Sequence, residues 1–226
     1  TMYDLITGEL VWAAFAVFFL GLLWRVIWYI KGLNWQIDRV AYTQHFAAGI
    51  KGALRSILHW LLPFGSRNWQ LRPIFTLVIF AFHLGLVITP VFLQGHVELI
   101  NQSLGLSWPT LPGPVADVLT IAVLVGAVCL VLRRIALPEV RILTTWRDYL
   151  LLVVTVLPFL TGFFLVQGVG DPDVWLLAHI LSGELLLVLI PFTKLYHVVG
   201  FFLSRMQLGM DYGIKRGGRR GRGIAW

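Results

Sequence analysis

The sequence predicts an all-α integral membrane protein, a bundle of five transmembrane helices with a periplasmic N-terminus and a cytoplasmic C-terminus. The first observation is composition: 58% of the 226 residues are hydrophobic, 13% are charged, and the mean hydropathy is +0.81. A soluble domain of this size cannot bury that much apolar surface. The other two observations are five long apolar stretches and a one-sided distribution of basic residues.

The five apolar stretches are each near the length of about 20 residues that a helix needs to cross a bilayer. They lie at about 9–30, 73–95, 114–132, 149–168 and 176–200. We therefore expect a single membrane domain over residues 1–205, followed by a basic tail over residues 206–226.

Basic residues determine the predicted orientation. All 18 Lys and Arg lie in three segments or at the helix ends beside them: 31–72, 133–148 and 201–226. The outer segments 96–113 and 169–175 carry acidic residues and no base. The positive-inside rule therefore places the N-terminus outside and the tail in the cytoplasm. We expect the membrane to be a bacterial inner membrane. Because no aromatic platform accompanies it, the tail indicates contact with anionic lipid rather than nucleic acid.

The long second connection contains an amphipathic segment over residues 41–63. Its apolar residues recur at helical spacing, with Lys51 and Arg55 on the other side. This pattern predicts a helix along the cytoplasmic interface, entering the membrane edge at His59. His45 on the same segment is interpreted as a solvated imidazole.

The last stretch carries His179 and His197, which are 18 residues, or five helical turns, apart. One continuous helix would present both on the same face, roughly 27 Å apart, with one imidazole near each membrane surface. Neutral imidazole is an axial ligand of haem iron, so the spacing favours ligands over two interfacial histidines.

Three further ionisable residues are candidates for function. His83 lies near the middle of the second stretch, and an ionisable residue at that depth indicates a ligand or an internal hydrogen bond. At its outer end, His96 is the alternative haem ligand, part of a possible quinone or proton site, or equally an interfacial residue without metal. Glu184 lies within the last stretch but about 140° around the helix from His179, which fits either an interhelical hydrogen bond or a quinol-linked proton acceptor.

Other classes of chemistry are not indicated. Cys129 is the only cysteine, so disulfides and an iron–sulfur cluster held by this chain alone are excluded. No Gly-rich phosphate loop or catalytic triad pattern is present. Whether the chain itself has a quinol-oxidising or quinone-reducing activity is left open.

Three stretches resemble the haem b subunit of respiratory nitrate reductase, its gamma subunit, and the relatives of that subunit. The last stretch, HILSGELLLVLIPFTKLYH, resembles the paired-histidine motif of the family. The stretch HLGLVITP is similar to the family's second helix, and LRRIALPEVRILTTWRDYLLL to its cytoplasmic hairpin. The resemblance covers about residues 73–200.

The resemblance implies two b haems, each held by one histidine from the second helix and one from the fifth. His83 with His179 would hold the outer haem. The family's other second-helix histidine falls where this chain has Pro73, so His197 lacks its expected partner. His59 is the expected substitute, while ligation by His45, a five-coordinate haem or the absence of a second haem stay open.

The segment SILHWLLPFGSRNW and the tail resemble cytochrome b subunits of transmembrane redox complexes in sulfate-reducing bacteria, of the Hmc, Tmc and DsrM type. That likeness implies a cytoplasmic iron–sulfur subunit related to heterodisulfide reductase, periplasmic multihaem cytochromes c and menaquinone. The expected function is electron transfer across the membrane between these partners. The alternative is a haem-free membrane anchor or transport subunit with structural histidines.

Overall fold

The computed structural model of the chain describes residues 5–33 and 44–215, and its regular elements in these ranges are all helical. A π-helical turn, Leu5–Glu9, leads into the first helix. The α-helices are α1 (Leu10–Gly32), α2 (Phe46–Leu61), α3 (Arg67–Leu71), α4 (Pro73–Phe92), α5 (Gln94–Leu104), α6 (Gly113–Ala136), α7 (Pro138–Arg141), α8 (Trp146–Val166), α9 (Pro172–Leu189) and α10 (His197–Lys215).

Five of the helical segments in the described ranges are long and apolar enough to cross a membrane. They are Leu5–Gly32, Pro73–Leu104, Gly113–Ala136, Trp146–Val166 and Pro172–Leu189. The predicted number of spans and their order are confirmed, and five such helices indicate a multi-pass membrane protein. The second segment is longer than predicted because α5 follows α4 after a single non-helical residue, Leu93.

The prediction of one continuous helix over 176–200 is wrong. Helix α9 ends at Leu189, a short turn follows, and a 3₁₀ turn over Lys194–Tyr196 leads into α10. Pro191 explains the break, because a proline has no N–H to donate and disfavours helical geometry in the residue before it. His179 and His197 therefore lie on different helices and do not share one helix face.

The predicted tail is also partly structured. Residues 206–215 continue α10 as regular helix instead of leaving the domain as a tail. Residues 216–226, which hold most of the basic charge of the tail, lie outside the described residues.

The chain divides into two compact units. Within the described residues, the first unit consists of 77–186 and the start of α1. Its core contains Phe82 of α4, Val123 and Ala127 of α6, and Phe159 of α8. A Cβ at Gly85 would lie 2.6 Å from the Leu119 carbonyl oxygen, so glycine lets α4 and α6 approach closely.

The second unit holds most of α1, residues 44–76 and residues 187–215. In it α2 packs antiparallel against α10 through glycines on both helices. A Cβ at Gly52 would overlap the carbonyl oxygen of Gly209 and lie 2.9 Å from the Gly213 Cα. A Cβ at Gly213 would lie 2.7 Å from the Ala48 carbonyl oxygen. We call this pair of helices the α2–α10 hairpin.

The glycine packing makes the α2–α10 hairpin sensitive to single methyl groups. Gly52→Ala should force the two backbones apart and destabilise the protein by about 2 kcal/mol or more, since overpacking here meets backbone rather than a flexible side chain. Gly32→Ala is the matched control, because a Cβ there meets nothing within 4 Å. Thermal unfolding in detergent checks both variants, and equal midpoints would contradict the packing described.

Candidate functional site

The C-terminal end of α4 is closed by the segment that follows it. The last four carbonyl groups of a helix have no partner within the helix, and each needs a donor in apolar surroundings. The Leu93 N–H donates to the Thr89 carbonyl oxygen at 3.0 Å, and the Leu111 N–H donates to the Phe92 carbonyl oxygen at 2.9 Å. The remaining two acceptors bind side chains.

Those two side chains are an indole and an imidazole. The Trp108 Nε1 donates to the Val91 oxygen at 2.9 Å. The His96 Nδ1 lies 2.8 Å from the Pro90 oxygen. His96 is thereby fixed as part of the cap of α4, and its Nε2 is left to point elsewhere.

His179 on α9 is held in the same manner by α8. Its Nδ1 lies 2.8 Å from the carbonyl oxygen of Pro158. The ring fits against Gly162, where a Cβ would lie only 2.9 Å from Nδ1 and 3.0 Å from Cε1. Glycine at this position is therefore required for His179 to reach the Pro158 carbonyl.

His96 and His179 face each other end to end. Their Nε2 atoms are 3.5 Å apart, the ring centroids are 5.8 Å apart, and the ring planes differ by 8°. The centroid separation exceeds the nitrogen separation by 2.3 Å, which is twice the distance from the centre of an imidazole to its own nitrogen. The two nitrogens therefore lie on the line between the rings, so the rings do not stack.

The hydrogen bonds assign the protons of both rings. A carbonyl oxygen only accepts, so each Nδ1 must carry the hydrogen, and each neutral ring then has a bare lone pair at Nε2. Two lone pairs pointing at each other across 3.5 Å repel unless a cation lies between them. A proton would leave an imidazolium in a span, where charge is expensive. A metal ion on the line between the nitrogens removes the repulsion without charging either ring.

The geometry fits a metal with two axial imidazoles. Imidazole–metal bonds of about 2.0 Å would place the nitrogens about 4 Å apart, roughly half an ångström more than the observed gap. No group of three or more His, Cys, Asp or Glu side chains able to hold a metal ion occurs among the described residues. Two imidazoles on one axis are also a donor set that proteins present to haem iron.

The helix face beside His179 carries a small residue. Gly183 is one turn further along α9, on the same face as the imidazole. A Cβ there would meet nothing within 4 Å. Gly85, two residues after His83, instead accommodates the backbone of α6.

The predicted pairing of His83 with His179 stays a prediction, and the structure brings His96 next to His179. His83 lies seven residues before Pro90, about 10 Å along α4 from the level at which His96 is anchored. Its Nδ1 is 2.8 Å from the Ile79 oxygen of its own helix. His96 therefore lies opposite His179, where the family resemblance implies His83.

The residues predicted for a quinone or proton site are His96 and Glu184. The Nε2 of His96 lies 3.5 Å from that of His179, and a quinone or proton role for His96 stays a prediction. The Oε1 of Glu184 is buried and has no hydrogen-bond partner among the described residues. A proton-linked role for Glu184 stays a prediction.

The histidines predicted for the cytoplasmic haem lie in the second unit. His197 begins α10, and its Nδ1 is 2.9 Å from the Lys194 oxygen. The Arg205 guanidinium lies 5.1 Å from the Trp60 ring centre, which sets the register of the α2–α10 hairpin. His59 precedes Trp60 on α2, and Arg205 lies eight residues, roughly 12 Å, along α10 from His197. The pairing of His59 with His197 stays a prediction, as does the alternative ligand His45, which is exposed.

Side chains of α1 contact the turn that precedes His197. The Arg25 Nε donates to the Pro191 oxygen at 2.6 Å, and its guanidinium lies over the Tyr196 ring at 5.1 Å. The fully buried Pro191 fits against Gly21, where a Cβ would lie 2.7 Å from it. Arg25 is thus a hydrogen-bond donor to the turn that separates α9 from α10.

The architecture and the opposed imidazoles together define a helical membrane protein with a candidate site for a metal macrocycle. No protein-family model matches the chain. It is similar to a protein of Nitratidesulfovibrio vulgaris strain Hildenborough, with 55% identity over 226 residues that cover 100% of both chains. The chain belongs to the same family as that protein.

Gly162 offers a direct test of the site geometry. Gly162→Ala places a methyl group on the ring of His179, so Nδ1 should lose the Pro158 carbonyl and Nε2 should leave the axis shared with His96. Helix packing is checked separately by replacing Thr161 and Ser182 with cysteine in the Cys129→Ala background. Cross-linking of these two cysteines reports on α8–α9 packing and should persist in Gly162→Ala. Proton NMR of imidazole labelled with ¹⁵N should show the His179 Nδ1–H signal of the parent protein and lose it in Gly162→Ala. An unchanged signal would contradict the site.

Proposed function

We propose that the protein is a membrane cytochrome b that transfers electrons, with His96 and His179 as the axial ligands of one haem. One observation carries the proposal: two Nε2 lone pairs face each other on one axis at 3.5 Å while both Nδ1 atoms are bound to carbonyl oxygens. Neutral imidazoles arranged in this way are complementary to a metal between them, and neutral imidazole is an axial ligand of haem iron.

The residues of the chain would contribute position and electronic tuning. Hydrogen bonds from Nδ1 to the Pro90 and Pro158 carbonyls hold the ring orientations and raise the basicity of the ligating nitrogens. The five apolar helices would place the site in surroundings from which water is excluded. When bound, the haem supplies reversible one-electron chemistry at its iron.

The resemblance extends the proposal to a second b haem and to partners. The motif shared with the nitrate reductase gamma subunit includes His179 and His197, so we propose a second haem toward the cytoplasm with His197 and His59 as its ligands. Electrons would pass between menaquinol or periplasmic multihaem cytochrome c and a cytoplasmic iron–sulfur subunit. Sequence resemblance alone supports these assignments, whereas the geometry of the site supports the haem at His96 and His179.

The alternative, a haem-free membrane anchor, gives the opposed imidazoles no role. A structural pair of neutral rings would place a hydrogen on one Nε2 and bind the other ring as its acceptor, which requires at least one Nδ1 without hydrogen, and an imidazolium there would put a charge in a span. Both Nδ1 atoms instead lie 2.8 Å from carbonyl oxygens. The donor set therefore favours the haem protein.

We also propose that the chain lies in a bacterial inner membrane with the His96–His179 site on the periplasmic side and the α2–α10 hairpin at the cytoplasmic interface. The basic residues beside the hairpin support this orientation. Four apolar residues on α2 recur at intervals of four and are exposed: Phe46, Ile50, Leu54 and Leu58. The exposed fraction of Phe46 is 57%. An exposed apolar stripe on an amphipathic helix suits the boundary between headgroups and acyl chains.

The haem prediction is tested by the spectrum and haem content of the purified protein. Pyridine haemochrome analysis should detect b haem, and both His96→Ala and His179→Ala should lose the bis-imidazole signal of one haem. His83→Ala should retain that signal, whereas the pairing inferred from the family would remove it. His45→Ala serves as the control for an exposed histidine. A full bis-imidazole signal in both ligand variants would overturn the proposal.

The orientation is tested by single cysteines in the Cys129→Ala background. Ser107→Cys, in the exposed loop after α5, should react with a membrane-impermeant maleimide in spheroplasts. Leu143→Cys, which lies in the turn before α8 and is 78% exposed in the folded chain, should react only after the membrane is disrupted. The reverse labelling pattern would invert the topology.

A further inference from the structure

We propose that Thr161 sets the reduction potential of the haem held by His96 and His179, acting as a positioning residue through the carbonyl of Pro158. This inference rests on the proposed function, because it concerns the strength of one axial ligand. It assigns a specific tuning group to a buried hydroxyl in α8 that does not touch the imidazole.

The geometry places two donors on one acceptor. The Pro158 oxygen lies 2.8 Å from the His179 Nδ1 and 3.2 Å from the Thr161 Oγ1. The same hydroxyl lies 2.8 Å from the Leu157 oxygen, so its hydrogen is shared between two carbonyls. A carbonyl that receives a second donor is a weaker acceptor for the first.

The hydroxyl is also fixed in place. Thr161 is 4% exposed and its Oγ1 lies 3.4 Å from the Oγ of Ser182, which is 5% exposed. Ser182 in turn donates to the backbone oxygen of His179 at 3.0 Å. The two hydroxyls thus connect α8 to α9 beside the ligand, and neither can rotate into solvent to leave the network.

The direction of the effect follows from ligand basicity. A stronger hydrogen bond from Nδ1 makes Nε2 a better electron donor, and a better donor favours the oxidised iron. Thr161 weakens that hydrogen bond by occupying part of the acceptor, so it raises the potential. Removing its hydroxyl should strengthen the bond from His179 and lower the potential.

The test compares three variants of the full chain by redox titration of the visible spectrum. Thr161→Val keeps the side-chain shape without the hydroxyl, and Thr161→Ser keeps the hydroxyl. Thr155→Val is the matched control, because Thr155 is buried on the same helix and donates to Leu151 without approaching a ligand.

Thr161→Val should raise the ratio of oxidised to reduced haem at fixed ambient potential about threefold to tenfold, the effect of one modest hydrogen bond. At 59 mV per tenfold for a one-electron couple, the midpoint falls by about 30–60 mV. Thr161→Ser and Thr155→Val should titrate like the parent, and the ferric EPR signal should report two imidazoles in all of them.

Two results would overturn the inference while leaving the proposed function intact. One is an equal potential in Thr161→Val and the parent protein with the bis-imidazole signal present. The other is an equal fall in Thr155→Val, which would make the effect general to hydroxyl loss in α8. If the parent protein itself binds no haem, both the inference and the proposed function fail.

Discussion

The arrangement of the site depends on the requirement that each backbone carbonyl in apolar surroundings has a donor. The end of α4 leaves four acceptors, and the chain meets this requirement with the segment that follows the helix. The imidazole of His96 satisfies the Pro90 oxygen and the indole of Trp108 satisfies the Val91 oxygen. Because an unsatisfied polar group in hydrocarbon costs several kcal/mol, these bonds fix the ring of His96 as firmly as packing would.

The same constraint determines which nitrogen of each imidazole carries the hydrogen. His179 is bound through Nδ1 to the Pro158 oxygen, so both imidazoles carry their hydrogen on the nitrogen that faces away from the gap. Only their lone pairs point into the gap. Two lone pairs that face each other repel, and a cation between them would relieve that repulsion. Gly162 leaves room for the ring of His179, and a Cβ at Gly183 would meet nothing within 4 Å.

Hydropathy and charge were sufficient to predict the helical class and the five apolar helices, because these properties are sums over many residues. The site depended on two local events that such sums do not register. At Leu93 the chain leaves helical geometry for one residue, with φ −68° and ψ 133°, and turns His96 back toward the bundle of its own unit. Helical spacing along the second apolar stretch does not reveal this turn, and the family resemblance implies His83 opposite His179, where the structure has His96.

The second event had a signal in the sequence. Pro191 follows an apolar run, and a proline there predicts the end of a helix at or before residue 190. The spacing of the paired histidines predicts one continuous helix and takes no account of this proline. The sequence does not predict the glycine contacts of the α2–α10 hairpin or the contact of Gly162 with His179. A glycine in an apolar helix gives no signal of which backbone or which ring packs against it.

The most direct test of the His96–His179 ligation is an experimental structure of the purified protein at a resolution that separates haem iron from its ligands. We expect a haem whose iron lies about 2 Å from the Nε2 atoms of both His96 and His179, with both Nδ1 atoms still on the proline carbonyls. An iron bound by His83 and His179, or a direct contact between the His96 and His179 rings in protein that contains its full haem complement, would contradict this ligation.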